Sequence, residues 1–152
     1  MDPKFTVFIF VSRAPSEVFE AVADPDKLSA YFTTGGAKDR LEEGATVTWD
    51  FHDFPGAFPV EVDEVVENER IAIRWDANEG DGPAGYQTNV IFTFTPVDGG
   101  ERTKVEVEEH GWRDSDAGLK ASYGNCMGWS QMLCALKAWV EHRINLREGA
   151  YK

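Results

Sequence analysis

The chain has little positive charge. In 152 residues, 15 Lys+Arg stand against 27 Asp+Glu, a formal net charge of −12. No basic cluster interrupts this acidity, and such a surface repels phosphate backbones, which argues against nucleic acid as a partner. Cysteine is scarce as well: only Cys126 and Cys134 occur. Both fall in one predicted helix, where eight residues rise about 12 Å, beyond the roughly 7 Å reach of a disulfide. Neither belongs to a CxxC pair or accompanies a ligand-spaced His, so no metal is expected, and a reduced, cytoplasmic protein is the simplest expectation. No run approaches the ~18 apolar residues of a membrane span. The start Met1-Asp2-Pro3-Lys4 lacks a basic n-region, and Phe5 to Val11 leads into no cleavage site, so no leader peptide is expected. Gly-x-Ser-x-Gly, P-loop and His-Glu-x-x-His patterns are missing, and no cofactor is expected.

What is abundant is aromatic: 5 Trp, 4 Tyr and 10 Phe, with 42% hydrophobic residues in all. That content is too high for a disordered acidic tail. A chain of this length buries about 70% of its unfolded surface and needs no staple. One domain over residues 1–152 is expected.

The order of elements follows from periodicity. Lys4 to Arg13 predicts a strand apolar at nearly every position, with both faces covered. Pro15 and Asp24-Pro25 each signal a short helix, the second running through Leu28 and Phe32. Thr46 to His52, Phe58 to Glu67, Arg70 to Ala77, Tyr86 to Pro96 and Arg102 to Glu109 predict half-buried strands. Val65-Val66 breaks the alternation and suggests a bulge. Ala77 to Gly85 reads as a loop, and Asp98-Gly99-Gly100 as a hairpin turn. Asp116 to Arg147 predicts one long helix. On a wheel of about 100° per residue, Cys126, Leu133, Leu136, Val140 and Ile144 share a stripe with Trp129, so burial should end near Ile144. Strands grouped between helices imply an α+β fold with a curved antiparallel sheet of about six to seven strands wrapped around the C-terminal helix.

Three segments carry a resemblance. Arg13-Ala14-Pro15-Ser16-Glu17-Val18-Phe19 is similar to the opening motif of the START-like, helix-grip superfamily. Asp24-Pro25-Asp26-Lys27-Leu28 through Tyr31-Phe32, followed by glycines, continues it. Gly128-Trp129 with Leu133, Leu136 and Lys137 matches its helical Gly-Trp-x-x-x-Leu-x-x-Leu-Lys pattern. The details resemble the branch of activator-of-heat-shock-protein-90-ATPase homologues, which also gathers polyketide-cyclase-like proteins. The resemblance covers essentially the whole chain and implies a small apolar ligand, lipid- or polyketide-like, held between sheet and helix. It also implies two alternatives: a cyclase- or dehydratase-like enzyme, and a stimulator of a chaperone ATPase. Chaperone stimulators carry an additional N-terminal domain, which is not expected within these 152 residues. Family members often carry Trp where Tyr31-Phe32 stands here.

Candidate site residues follow from facing. Trp49, Phe51, Trp75, Phe92 and Phe94 fall on inward strand positions. Tyr123, Cys126, Trp129, Met132 and Leu133 fall on the first half of the long helix, where a gripped helix leaves a hollow. Tyr123 is a candidate polar anchor. Gly111 could bend the strand so that His110 or Trp112 turns inward. His110 and Tyr123 are therefore the candidates for acid–base work, although regular alternation points His52 and His110 outward and His142 lies on the polar helix face. The acid runs Glu42-Glu43, Glu61/Asp63/Glu64 and Glu106/Glu108/Glu109 read as solvated outer faces. The chain is expected to be a monomer or a homodimer, the latter through Trp139 or an edge strand.

Overall fold

Two prolines set the entry into the fold. The computed structural model describes residues 1–152. Strand β1 (Lys4–Val11) leads into helix α1 (Pro15–Ala23), with Pro15 in the first turn, where its missing N–H costs nothing. Helix α2 (Pro25–Ser29) repeats the device, and here Asp24 Oδ1 accepts from the backbone N–H groups of Asp26 (2.9 Å) and Lys27 (3.2 Å).

Six more strands follow: β2 (Gly36–Lys38), β3 (Thr46–Phe51), β4 (Phe54–Val66), β5 (Arg70–Asn78), β6 (Pro83–Val97) and β7 (Arg102–His110). They form one curved antiparallel sheet in the order β1-β7-β6-β5-β4-β3-β2. Helix α3 (Asp116–His142) closes its concave face, capped by Ser115 Oγ, which accepts from the Gly118 N–H at 3.0 Å. This is the expected helix-grip α+β architecture. Twenty-seven buried residues join sheet and helices in one core.

The structure corrects several expectations. The outer face of β1 is not covered: Phe8 is 58% exposed, with the Lys104 ammonium 4.8 Å from its ring centroid. β2 arises where the sequence suggested only a break, because three residues suffice to pair with β3. β6 begins at Pro83, inside the predicted loop. The bulge in β4 lies between Val62 and Glu64, earlier than the Val65-Val66 pair suggested.

α3 ends at His142 rather than near Arg147. Arg143 adopts the left-handed conformation (φ 56°), and its N–H bonds the carbonyls of Ala138 and Trp139. Its guanidinium also donates to the carbonyl oxygens of Trp139 (2.9 Å) and Val140 (3.1 Å). No glycine marks this stop, so pattern could not find it. Ile144, expected on the buried stripe, is exposed in consequence. Trp139 is half-covered and stacks on Tyr31 at 5.8 Å, which leaves little of it for a dimer contact.

The acids expected on outer faces lie there except Glu109, which is buried. Glu61 and Asp63 pair with Arg74, Glu64 with Arg70, and Glu106 with Lys104.

Candidate functional site

Alternation along β7 puts Val105, Val107 and Glu109 on the concave face. Glu109 is fully buried, at 0% exposure. Beside it the sheet pairs Trp75 of β5 with Thr88 of β6. From above, Asn125 and Trp129, one turn apart on α3, reach down. All four donate to the carboxylate. Oε1 accepts from Trp129 Nε1 (2.8 Å) and Asn125 Nδ2 (3.1 Å). Oε2 accepts from Trp75 Nε1 (2.9 Å), Thr88 Oγ1 (2.7 Å) and Asn125 Nδ2 (3.1 Å).

No Lys, Arg or His pairs with this group. Burial pushes the Glu109 carboxyl above its ordinary value, and the donated bonds from Trp75, Thr88, Trp129 and Asn125 pull it back. An indole N–H and an amide N–H can only donate, so the arrangement suits the carboxylate rather than the acid.

The indoles that hold Glu109 also form the wall of a cleft of about 700 Å³ at the open end of the grip. Trp75, Trp129, Phe51, Phe54 and Phe32 supply its apolar side. Gly124, Gly128 and Met127 supply the helix side, and Asn125, Lys120, Glu79 and Arg147 its polar groups. The two glycines matter because nothing lies within 4 Å of where their Cβ atoms would project, so the helix surface recedes there.

The segment after α3 turns back across this mouth. Arg147 is only 7% exposed and makes a bidentate ion pair with Asp53, in the turn between β3 and β4. Hydrogen bonding from Arg147 holds the Asp53 carboxyl below its usual range. The same guanidinium lies over the rings of Phe51 (5.4 Å) and Tyr151 (4.5 Å). A smaller hollow of about 280 Å³ shares Arg147 and Tyr151 with the cleft and is lined besides by Met132, Cys134 and Leu146 among others.

Of the residues anticipated from pattern, Phe51, Trp75 and Trp129 border the cleft, and Met132 borders the smaller hollow. Trp49, Phe92, Phe94 and Leu133 are packed core instead. Trp112 does turn in at Gly111 (φ 106°), but it packs against Phe5 at 5.6 Å, away from the cleft. Tyr123 is 65% exposed and cannot anchor a buried ligand. Its position on α3 lies off the face that meets the sheet. Cys126 is half-buried and borders neither hollow. His110 stays on the outer face beside Glu108 (3.3 Å), so neither acid–base candidate reaches the cleft. No cluster of three or more His, Cys, Asp or Glu is gathered as a metal site, and no helix is long and apolar enough to cross a membrane.

Sequence reasoning missed Glu109, Asn125 and the Asp53–Arg147 pair. For Glu109 a signal existed. It shares the period-two register of Val105 and Val107, but the neighbouring Glu106 and Glu108 made the run read as one solvated face. Arg147 was counted as the end of the long helix, which in fact stops at His142, so its turn back toward Asp53 was not foreseen.

A curved sheet gripping one long helix, with a lined hollow at its open end, defines a START-like helix-grip protein. The chain belongs to the family described as activator of Hsp90 ATPase homolog 1-like protein, which its residues 12–141 match. Protein SSP2350 from Staphylococcus saprophyticus has a similar structure, with 25% identity and a TM-score of 0.77 over 95% of this chain and 96% of that one. DynU16, a putative protein in the dynemicin biosynthetic locus, is 27% identical with a TM-score of 0.76 over 93% of this chain, which spans 48% of DynU16. The Aha1 dimer from Colwellia psychrerythraea shares the fold at 19% identity, with a TM-score of 0.71 over 92% of this chain and 97% of that one. No curated protein matches the chain in sequence.

Proposed function

We propose that the protein binds a small, largely apolar molecule in the cleft between the sheet, the first half of α3 and the C-terminal tail. The observation that carries this reading is a hollow of about 700 Å³ with an aromatic wall and few polar groups. Ligand pockets typically measure roughly 300–1,000 Å³ and have that composition. Similarity to a protein of a biosynthetic locus supports a small-molecule ligand, for which a lipid- or polyketide-like body is the right shape and polarity.

Binding without turnover is the favoured form. A cyclase or dehydratase needs an acid or base that reaches its substrate. His110 lies on the outer face of the sheet, Tyr123 is exposed, and Glu109 lies sealed beneath the indoles with both oxygens engaged.

The test is a fluorescence titration with N-phenyl-1-naphthylamine, beside native mass spectrometry of freshly purified protein for a co-purified molecule. Saturable binding is expected, and Gly124→Leu should weaken it at least tenfold, because the new side chain projects into open cleft space without touching the core. Binding unchanged in Gly124→Leu, or no saturable binding to the native chain, would overturn the reading.

A further inference from the structure

We infer that the cleft is selective for an organic cation: a molecule with an ammonium or guanidinium group on an apolar body. This rests on the ligand-binding reading above and adds the sign of the ligand's charge. The carrying observation is the unpaired buried carboxylate of Glu109 behind a wall of aromatic rings. Trp75 and Trp129 both donate their indole N–H to it, and both border the cleft. Donation to an anion makes an indole ring richer in electrons, and the negative face of such a ring attracts cations. A positive group against the half-exposed Trp75 ring, behind which the buried Trp129 packs at 5.4 Å, would also lie near an anion that has no cation of its own. The intervening medium is poor in water, so that attraction is only weakly screened.

A second observation is independent of Glu109. The same aromatic wall already receives the protein's own cations. The Arg147 guanidinium lies over Phe51 and Tyr151, and the Lys152 ammonium lies 4.5 Å from the Phe54 centroid. The faces of these rings are thus oriented to receive a positive group, which a ligand cation would share or take over from the tail.

The remaining charges favour the same sign. Arg147 is neutralised by its ion pair with Asp53. Half-buried Glu79 borders the cleft and is bonded only by the Tyr86 hydroxyl, at 2.7 Å. Two ammonium groups without an ion pair stand at the rim, Lys120 and the Lys152 that covers Phe54; both are exposed, where solvent screens them and an ion pair contributes little. The net charge of −12 draws cations toward the protein from a distance.

The experiment uses a matched set on the native chain: 2-naphthylmethyl-trimethylammonium, 2-naphthylmethanol and 2-naphthylacetate, titrated by calorimetry at low and high salt. The cation should bind about tenfold tighter than the alcohol, and the acetate weakest, as expected of a desolvated cation–π site. The preference should survive 0.5 M salt, where diffuse surface charge is screened within about 4–5 Å. Glu109→Gln should reduce it to about threefold. Because that variant could destabilise the chain, Glu79→Gln provides a second arm and should also lower the preference.

Equal binding of cation and alcohol, tightest binding of the acetate, or loss of the preference in salt would overturn the inference and leave the cleft as an apolar binding site. If none of the three binds, the ligand-binding reading falls, and the charge preference falls with it.

Discussion

Glu109→Gln keeps the side-chain shape and removes the charge together with one acceptor atom. The native carboxylate accepts from Trp75, Thr88, Asn125 and Trp129. A glutamine can offer its single oxygen to one side only, either Trp129 or the Trp75–Thr88 pair. Its NH₂ then faces groups that also donate, although the Thr88 hydroxyl can rotate to accept. At least one buried indole N–H loses its partner. Leaving a buried donor unsatisfied costs about 1–3 kcal/mol, and losing charge-assisted bonds raises this. The relief of no longer burying a charge offsets part of it. A net loss of about 2–4 kcal/mol at pH 7 is expected, which for a chain of this size lowers Tm by roughly 5–15 °C.

pH provides a sharper check. Burial raises the folded carboxyl above its unfolded value of 4.5, so the folded state binds the proton more tightly. The contribution of this group to stability therefore grows as pH falls through the folded value toward 4.5, and saturates below it. The glutamine lacks this gain, while other groups titrate alike in both proteins and cancel. The stability gap between native chain and variant should widen from pH 7 to pH 4.5. Urea unfolding followed by tryptophan emission at several pH values measures it. A variant as stable as the native chain at pH 7, or a gap that narrows on acidification, would refute this account of the buried carboxylate.

Other outcomes are as specific. Gly118→Ala should destabilise by more than about 2 kcal/mol despite the better helix propensity of alanine, because its Cβ would lie 2.2 Å from the Arg113 carbonyl oxygen. Gly124→Ala, with nothing within 4 Å, should instead stabilise by about 0.5–1 kcal/mol, and thermal unfolding of the two variants should move in opposite directions. Asp53→Asn should free the tail: breaking a buried ion pair costs about 3–5 kcal/mol, more than detaching a short segment, so amide exchange over residues 143–152 should speed while global stability changes less. In the native chain, Arg147 holds the Asp53 carboxyl below 3.8, so the latch is fully formed above that pH and is lost as pH falls through the depressed value. Tyr31→Phe removes a buried 2.8 Å bond to the Ala21 carbonyl and should cost about 1 kcal/mol in urea unfolding.

Local signals carried most of the fold. Pro15, Asp24-Pro25, the alternation of Val47 with Trp49 and of Ile71 with Ile73, and the Trp129–Leu133–Leu136 stripe each report on a few neighbouring residues. Each was correct because its partner surface only had to be apolar. Arg143 shows where such reasoning stops: a left-handed cap on a non-glycine residue is held by the guanidinium's own bonds to the carbonyls of Trp139 and Val140, which pattern does not encode. Tyr123 shows a second limit: six residues before Trp129 it lies about 120° from the stripe's centre, so its place in the first half of the helix did not make it lining.

The sequence alone determined the class of the fold, the inner faces of the strands and the acidic outer surface, because side-chain period and burial are set locally. Tertiary structure alone decided the site. Glu109 reads as one more acid in Glu106-Val107-Glu108-Glu109 until strands β5 and β6 and helix α3 bring Trp75, Thr88, Asn125 and Trp129 to it. Asp53 and Arg147 are 94 residues apart in sequence and meet only when the tail folds back. Whether an aromatic surplus fills a core or walls a cleft depends on where the helix recedes at Gly124 and Gly128. That is a property of distances between elements, which no single element contains.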